Sequence, residues 1–190
     1  MLNNYIGKIK KYWPITSNSN NVIDVCVTTL DQNVINYSES FKQVGIPYNS
    51  PMPFATSTEI DNLLTSNPDL LSAGRTTGPK GIVQNCVLHA SQVGTSLLIN
   101  IGYDKYDDPS GSKVVDFNDL IAFEWRNSAM DTPIFGGDSG SALIANFNGV
   151  YKIIGLVFAG NVDNDGKCIT GYACRIDHIS NLMNLSAWDG

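Results

Sequence analysis

The stretch Gly136-Gly137-Asp138-Ser139-Gly140-Ser141 decides how this chain folds and which chemistry it offers. Gly137 and Gly140 can adopt positive φ without a Cβ clash, and Asp and Ser are residue types that favour turns. Two apolar runs with a short polar turn between them follow directly, at 141–145 and 151–160. Runs of this kind predict a β-hairpin. The sequence therefore predicts a serine displayed on a tight turn that leads into a hairpin.

Two segments upstream of this turn also predict β-structure. Residues 72–83 read SAGRTTGPKGIV, a segment with Gly and Thr at 74–78 that resembles a known hairpin motif. Residues 21–27 read NVIDVCV and place Asp24 at the start of an apolar strand. An aspartate before a strand is often only a turn residue, so a structural role and a chemical role both stay open for Asp24.

Taken together, these segments resemble those of trypsin-like serine proteases, in particular bacterial and viral-type members that carry GRTTG and GDSGS motifs. The resemblance implies an all-β fold, a chymotrypsin-like double β-barrel. We expect a complete C-terminal barrel, a partial N-terminal barrel and a short C-terminal helix, which the apolar spacing over 176–185 favours. The predicted domains are 1–50, the partial barrel with the start of the interdomain connection, and 51–190, the C-terminal barrel with the nucleophile turn.

The resemblance also implies roles for residues at the turn. Ser139 is the expected nucleophile, and Asp24 is the expected carboxylate that orients a general base. The backbone amides of Gly137 and Ser139 form the expected oxyanion hole, which in this class of enzyme contributes roughly 3 to 4 kcal/mol per donor to the transition state. Asp138 is expected beneath the turn as its support. The partners expected for its carboxylate are Arg75 and Arg175.

A substrate pocket on both sides of the serine is implied by the same resemblance. Its expected walls are residues 132–136, which include Pro133, the strand near 171–174, and the residues Val157, Phe158, Ala159 and Gly160. A proline rather than an acidic residue stands where the floor of the pocket is expected. A strict preference for Arg or Lys is therefore not expected, although Asp131 is near enough to keep that preference open. Gly160 is expected to leave the entrance unobstructed for a medium or large side chain.

The histidine that completes such a triad is missing from its expected place. In this family the histidine precedes the aspartate along the chain, and no histidine precedes Asp24. His89 lies in an apolar run typical of a strand, and His178 lies in the pattern of the C-terminal helix, so we expect both to be structural. Because a serine hydroxyl is a weak nucleophile without an adjacent base, the chain alone is expected to be nearly inactive.

The length of the chain agrees with a missing part of the first barrel. A two-barrel protease of this type needs about 200 to 250 residues, whereas this chain has 190, with strands predicted only at 5–15 and 22–30 before the interdomain connection. We therefore expect a fragment or one half of a split protein. Two strands do not close a barrel, so we expect their edges to be covered by an N-terminal segment or by a second protomer.

Composition narrows the remaining classes of function. The net charge of -6 argues against a nucleic-acid partner, and no apolar run is long enough to cross a membrane. The four cysteines lack C-x-x-C spacing, so we expect no metal and no cofactor. Cys26 and Cys86 lie in apolar strands and are expected to be buried. Cys168 and Cys174 flank a short segment and could form a disulfide across a hairpin in an oxidising compartment, whereas reduced thiols in a cytoplasmic protein are the expectation.

The function predicted from the sequence is that of a serine endopeptidase. Such an enzyme hydrolyses a bond of a peptide or protein substrate through an acyl-enzyme, and here it is expected to lack its general base. The alternative is a non-catalytic, protease-like binding module, a pseudoprotease that has lost the base and kept the groove. A histidine in a segment upstream of Met1 would favour the enzyme.

Overall fold

The structure of the chain is a computed structural model that describes residues 7–16, 20–30, 52–80, 87–102, 112–126, 133–165 and 167–187. These residues form nine strands and three short helices. The strands are β1 (Gly7–Tyr12), β2 (Cys26–Leu30), β3 (Asp69–Gly74), β4 (Gly78–Lys80), β5 (Leu88–Gly102), β6 (Ser112–Trp125), β7 (Ala142–Phe147), β8 (Val150–Val162) and β9 (Cys168–Arg175). The helices are α1 (Ser57–Asp61), α2 (Leu63–Ser66) and α3 (Ile176–Met183).

Six of these strands close into an antiparallel barrel. β5 pairs with β6, β6 with β9, β9 with β8, and β8 with β7. β7 then pairs with β3 from Asp69 to Ser72, and β3 meets β5 where Leu70 lies opposite Leu88, which completes the ring. Closure removes the exposed edges that an open sheet presents to other chains.

The interior of the barrel is apolar. Side chains of a strand alternate between its two faces, so every second residue points inward. The largest fully buried side chains on the barrel strands, with both faces of the strands included, are Phe117, Phe123, Leu70, Leu71, Leu88, Leu120, Ile121, Leu143 and Ile154. α3 packs on the core through its buried residues Ile176, Ile179 and Met183. None of the described helices has the length and apolar character needed to cross a membrane.

The N-terminal residues add a small separate sheet, in which β1 and β2 pair antiparallel with each other. The chain between them is fastened to β6 by Asn21, whose Nδ2 donates to the carbonyls of Thr16 and Asp116 at 2.8 and 2.9 Å. Ile23 follows and is fully buried in the core. These contacts hold the segment that carries Asp24 against the barrel.

The fold class predicted from the sequence is confirmed. The described residues form mainly β-structure, with a closed barrel, a separate two-stranded sheet of β1 and β2, and a helix after the last strand. The hairpins expected at the GRTTG segment and after Ser139 are β3–β4 and β7–β8. The domain limits 1–50 and 51–190 stay a prediction, because residues 31–51 lie outside the described ranges.

One prediction about the cysteines is wrong. Cys26 is exposed rather than buried, because it lies in the two-stranded sheet, which is too small to bury both of its faces. Cys86 lies outside the described residues. Cys168 and Cys174 are buried free thiols, and burial raises the pKa of Cys174 to about 12. These two residues are therefore protonated thiols at neutral pH.

Candidate active site

Ser139 is exposed on the turn that precedes β7. Gly137 and Gly140 have φ values of +101° and +87°, which residues with a Cβ rarely adopt. The amide of Gly140 donates to the carbonyl of Val157 at 2.7 Å, which ties the turn to β8. The backbone conformation therefore favours glycine at both positions.

Asp138 lies under this turn and is only 1% exposed. Its Oδ1 accepts hydrogen bonds from the amides of Thr76 and Thr77 at 2.8 and 3.1 Å. Its Oδ2 accepts from the Thr77 hydroxyl at 2.7 Å and from the Phe135 amide at 2.9 Å. Burial by itself raises the pKa of this carboxyl, but the hydrogen bonds outweigh burial and lower the pKa to about 2. An ionised Asp138 thus joins the nucleophile turn to the turn between β3 and β4.

The close approach of the two turns explains one glycine of the GRTTG segment. Gly74 is the last residue of β3, and a Cβ added to it would overlap the carboxyl group of Asp138. A side chain at this position would displace the carboxylate from its donors. The segment therefore supplies both the space for the Asp138 carboxylate and, at Thr76 and Thr77, the donors that hold it.

The arginines expected to hold Asp138 have other surroundings. Arg175 is buried and forms ion pairs at 2.8 to 2.9 Å with three carboxylates on α1, β6 and α3: Asp61, Asp119 and Asp177. Arg75 lies beside the turn, since a Cβ added to Gly137 would come 2.9 Å from its Nη2. The hydrogen bonds described for the Asp138 carboxylate come from Thr76, Thr77 and Phe135 instead. The expectation of an arginine partner is therefore wrong for Arg175.

Two backbone amides on the turn are available to a ligand. Within the described residues, the amides of Gly137 and Ser139 donate no hydrogen bond to the protein. The Thr76 hydroxyl donates to the Gly136 carbonyl at 2.8 Å. Because the C=O and N–H of a trans peptide point in opposite directions, this bond directs the Gly137 N–H away from Thr76. Fixed, unpaired donors of this kind suit an oxyanion.

The hydroxyl of Ser139 donates to the carbonyl of Phe158 at 3.3 Å. Neither histidine of the chain is bonded to it. His178 Nε2 lies 2.6 Å from Asp119 Oδ2, and His89 lies on β5 opposite Glu124 of β6. Among the residues that the structure describes, Ser139 therefore has no imidazole to accept its proton.

Asp24 is anchored near the same pair of strands as Ser139. Its backbone amide donates to Cys174 Sγ on β9 at 3.4 Å. Cys174 lies opposite Leu156 of β8, two residues before Phe158, whose carbonyl accepts the Ser139 hydroxyl. Burial raises the pKa of the Asp24 carboxyl. The Asp24 amide and the Ser139 hydroxyl thus contact neighbouring strands, β9 and β8, and the catalytic role of Asp24 stays a prediction.

A cavity of about 390 Å³ opens beside Ser139. Of the expected wall residues, Phe158, Ala159 and Gly160 line it. Val157 is instead buried in the core, and Pro133 is buried outside the lining. The other lining residues are Ile134, Phe135, Gly136, Ser139, Val162 and Cys168. Sequence reasoning missed Val162 and Cys168, which meet through the register of β8 and β9, and no short motif signals that register.

Similarity to known proteins is found among solved structures. No family model matches the chain, and no curated protein matches it. Among solved structures, the chain is similar to the chymotrypsin of Cellulomonas bogoriensis at 16% sequence identity and a TM-score of 0.49. The match covers 92% of this chain and 73% of that chain. The description of the barrel rests on the strand pairings given above.

Proposed function

We propose that this chain carries the nucleophile side of a serine endopeptidase. The observation that supports the proposal is the turn at Ser139, where an exposed hydroxyl lies beside two amides that bond to no other described residue. Donors that are fixed before the reaction stabilise the oxyanion that forms when a serine attacks a carbonyl, and each is worth roughly 3 to 4 kcal/mol. The adjoining cavity offers a place for a substrate side chain.

In this proposal Ser139 Oγ attacks the carbonyl carbon of a peptide bond and its proton passes to an imidazole. The π electrons of the carbonyl move onto its oxygen, which accepts hydrogen bonds from the amides of Gly137 and Ser139. Collapse of the tetrahedral intermediate breaks the C–N bond, and the leaving amine takes the proton from the imidazolium. Water then hydrolyses the acyl-enzyme. Asp24 would orient the imidazole.

The imidazole has to come from outside this chain. His178 is bonded to Asp119, and His89 lies on a barrel strand away from the cavity lining. An upstream segment or a second protein chain would supply the histidine and would also cover the edges of β1 and β2 that pair with no other described strand. Without it, roughly 10³- to 10⁴-fold acceleration over water remains from the oxyanion hole and binding.

A second candidate function is a non-catalytic module that binds peptides. The observation that favours it is the hydrogen bond from the Ser139 hydroxyl to the Phe158 carbonyl, because that bond engages the proton that a base would remove. The groove and the free amides would then serve binding alone. The two candidates differ in whether Ser139 forms a covalent bond.

A fluorophosphonate probe distinguishes them, because it forms an O–P bond with an activated serine and releases fluoride. We expect slow labelling of the chain alone and faster labelling of Ser139 when free imidazole is added as the proton acceptor. Intact mass and peptide mapping give the extent and position of labelling. Ser139→Ala should abolish it, and Ser186→Ala, at an exposed serine beyond α3, is the matched control.

Two results would count against these assignments. Rapid stoichiometric labelling of the chain alone would show that one of its own residues is the base, and the structural roles given to His89 and His178 would be wrong. A folded chain that binds peptides, but whose Ser139 stays unlabelled with imidazole or with a histidine-bearing upstream segment, would establish the binding module instead.

A further inference from the structure

The cavity beside Ser139 has less space next to Gly160 than a glycine at this position suggests. A Cβ added to Gly160 would come 2.6 Å from Cys168 Sγ and 2.9 Å from Ile134 Cδ1. The space next to this glycine is therefore filled by two side chains of the protein, and both are almost fully buried. This differs from the expectation that Gly160 leaves room for a large side chain of the substrate.

The cavity also offers no charge to a bound side chain. Its lining contains no acidic or basic residue within the described part of the chain. The Cys168 thiol donates to the Thr170 carbonyl at 3.4 Å, and burial raises its pKa, so it is neutral at neutral pH. An ammonium, guanidinium or carboxylate placed here would lose its water without gaining a partner, which is strongly unfavourable.

We propose that Ile134 and Cys168 restrict this cavity to an uncharged aliphatic side chain of intermediate size, such as that of Leu, Val or Met. The inference rests on the proposed function, and it names the residue on the N-terminal side of the scissile bond. Ser139 itself lines the cavity, so a side chain bound there belongs to the residue whose carbonyl the serine attacks. An aromatic ring that extended past Gly160 would meet Cys168 Sγ and Ile134.

Product-like peptides test this preference on the chain as it exists. Ac-Ala-Ala-Pro-X with a free C-terminal carboxylate places that carboxylate at the amides of Gly137 and Ser139, and residue X in the cavity. Titration into the ¹⁵N-labelled chain, followed by NMR, gives dissociation constants for X = Leu, Phe and Lys. We expect the Leu peptide to bind about tenfold more tightly than the other two. Equal affinities, a preference for Phe or Lys, or no binding of the Leu peptide would overturn the inference.

Substitutions of the residues at and beside Gly160 provide a second test of the inference. Cys168→Ala removes the sulfur and should improve binding of the Phe peptide about tenfold relative to the Leu peptide. Ile134→Ala should act in the same direction, and Gly160→Ala should weaken binding of all three peptides, because the added methyl group overlaps Cys168 Sγ and Ile134 and displaces these lining side chains. Ile169→Ala, at an exposed neighbour of Cys168, is the matched control and should change none of the affinities.

Failure of this inference and failure of the proposed function give different results. If Ser139 is labelled by the fluorophosphonate but the three peptides bind equally, the restriction by Ile134 and Cys168 is wrong and the endopeptidase proposal stands. If the Leu peptide is preferred but Ser139 is never labelled, the proposed function is wrong, and with it the placement of this side chain next to a scissile bond.

Discussion

The turn at Ser139 and the segment at Asp24 hold their carboxylates in opposite ways. Asp138 accepts four described hydrogen bonds, and they lower its pKa to about 2 despite burial. Asp24 is partly desolvated, its pKa is raised, and the contact described for it runs from its own amide to Cys174 Sγ. One carboxylate is fixed in the fold as an anion, whereas the other is positioned through its backbone.

This difference separates the part of the site that described residues hold in place from the part for which we propose a partner. Three of the four described donors to Asp138 come from the turn between β3 and β4 and the fourth is the Phe135 amide, so residues of the chain itself hold the turn at Ser139. A carboxylate that is desolvated without donors is stabilised by a nearby cation. An imidazolium beside Asp24 would be such a cation, and perturbed carboxyl groups of this kind cluster at functional sites.

The largest effect is expected for Asp138→Asn. The substitution removes the negative charge and directs an NH₂ group at donors from Thr77 or Phe135. We expect the free energy of unfolding to fall by on the order of 3 kcal/mol, measured by urea denaturation at pH 7. Asp165→Asn, at an exposed aspartate, is the matched control and should change stability little. Equal stability of the Asp138 variant and the natural chain would show that this carboxylate does not hold the turn.

The dependence of stability on pH should follow from the same carboxylate. The pKa of Asp138 is about 2 in the folded chain and its ordinary value is 3.8. A lowered pKa means that the stabilisation is present above the unfolded value and is lost as pH falls through the folded value. The free energy of unfolding of the natural chain should therefore fall by about 2 kcal/mol relative to that of Asp138→Asn as the pH is lowered from about 5 to about 2. A stability difference that stays constant over this range would contradict the assignment.

Gly74→Ala should disturb the same contact from the opposite strand. The added methyl group overlaps the Asp138 carboxyl group, so we expect a loss of about 1 to 3 kcal/mol in unfolding free energy. In an Asp138→Ala background the loss from Gly74→Ala should be smaller, because the overlap is relieved. Gly136→Ala is the matched control, since a Cβ there meets no atom within 4 Å. Additive effects in the double variant would argue against the close approach.

Short-range patterns in the sequence predicted the hairpins and the helix. Contacts between residues that lie far apart in the sequence could not be predicted from such patterns. The glycines at 137 and 140 indicate a positive φ, because few other residue types adopt it. The donors of Asp138 could not be predicted, since Thr76 lies 62 residues away and arginine is an equally reasonable partner in principle. The burial of Cys26 was wrongly predicted because its apolar neighbours do not reveal whether a second layer covers the sheet.

The contribution of Cys168 to the cavity could not be predicted for a related reason. Gly160 indicates open space only if no other side chain fills it, and Cys168 does so from the neighbouring strand. Cys168 lies opposite Val162 next to an irregularity in the β8–β9 register. A bulge shifts the pairing by one residue and so changes which side chains meet. Such a shift leaves no mark in the local pattern of apolar residues.

The smallest effect, and the one with the opposite sign, is expected for Asp24→Asn. The raised pKa of Asp24 means that the folded chain holds the proton of this carboxyl more tightly than the unfolded chain does. The stability contribution of the protonated group is therefore fully present below the unfolded value and is lost as pH rises through the folded value, so ionised Asp24 opposes folding at neutral pH. Removing the charge should raise Tm by at most about 2 °C at pH 7 and leave it unchanged at pH 3, where the carboxyl is already protonated.

Calorimetry of this variant at both pH values checks the sign, with Asp165→Asn again as the control. A lower Tm at pH 7 would mean that Asp24 already has stabilising partners in the chain, and the contrast with Asp138 would fail. The role proposed for Asp24 adds a second readout. Once a histidine-bearing segment is supplied, the substitution that stabilises the chain alone should slow peptide cleavage by roughly 10⁴, because the imidazole would no longer be held in its reactive tautomer.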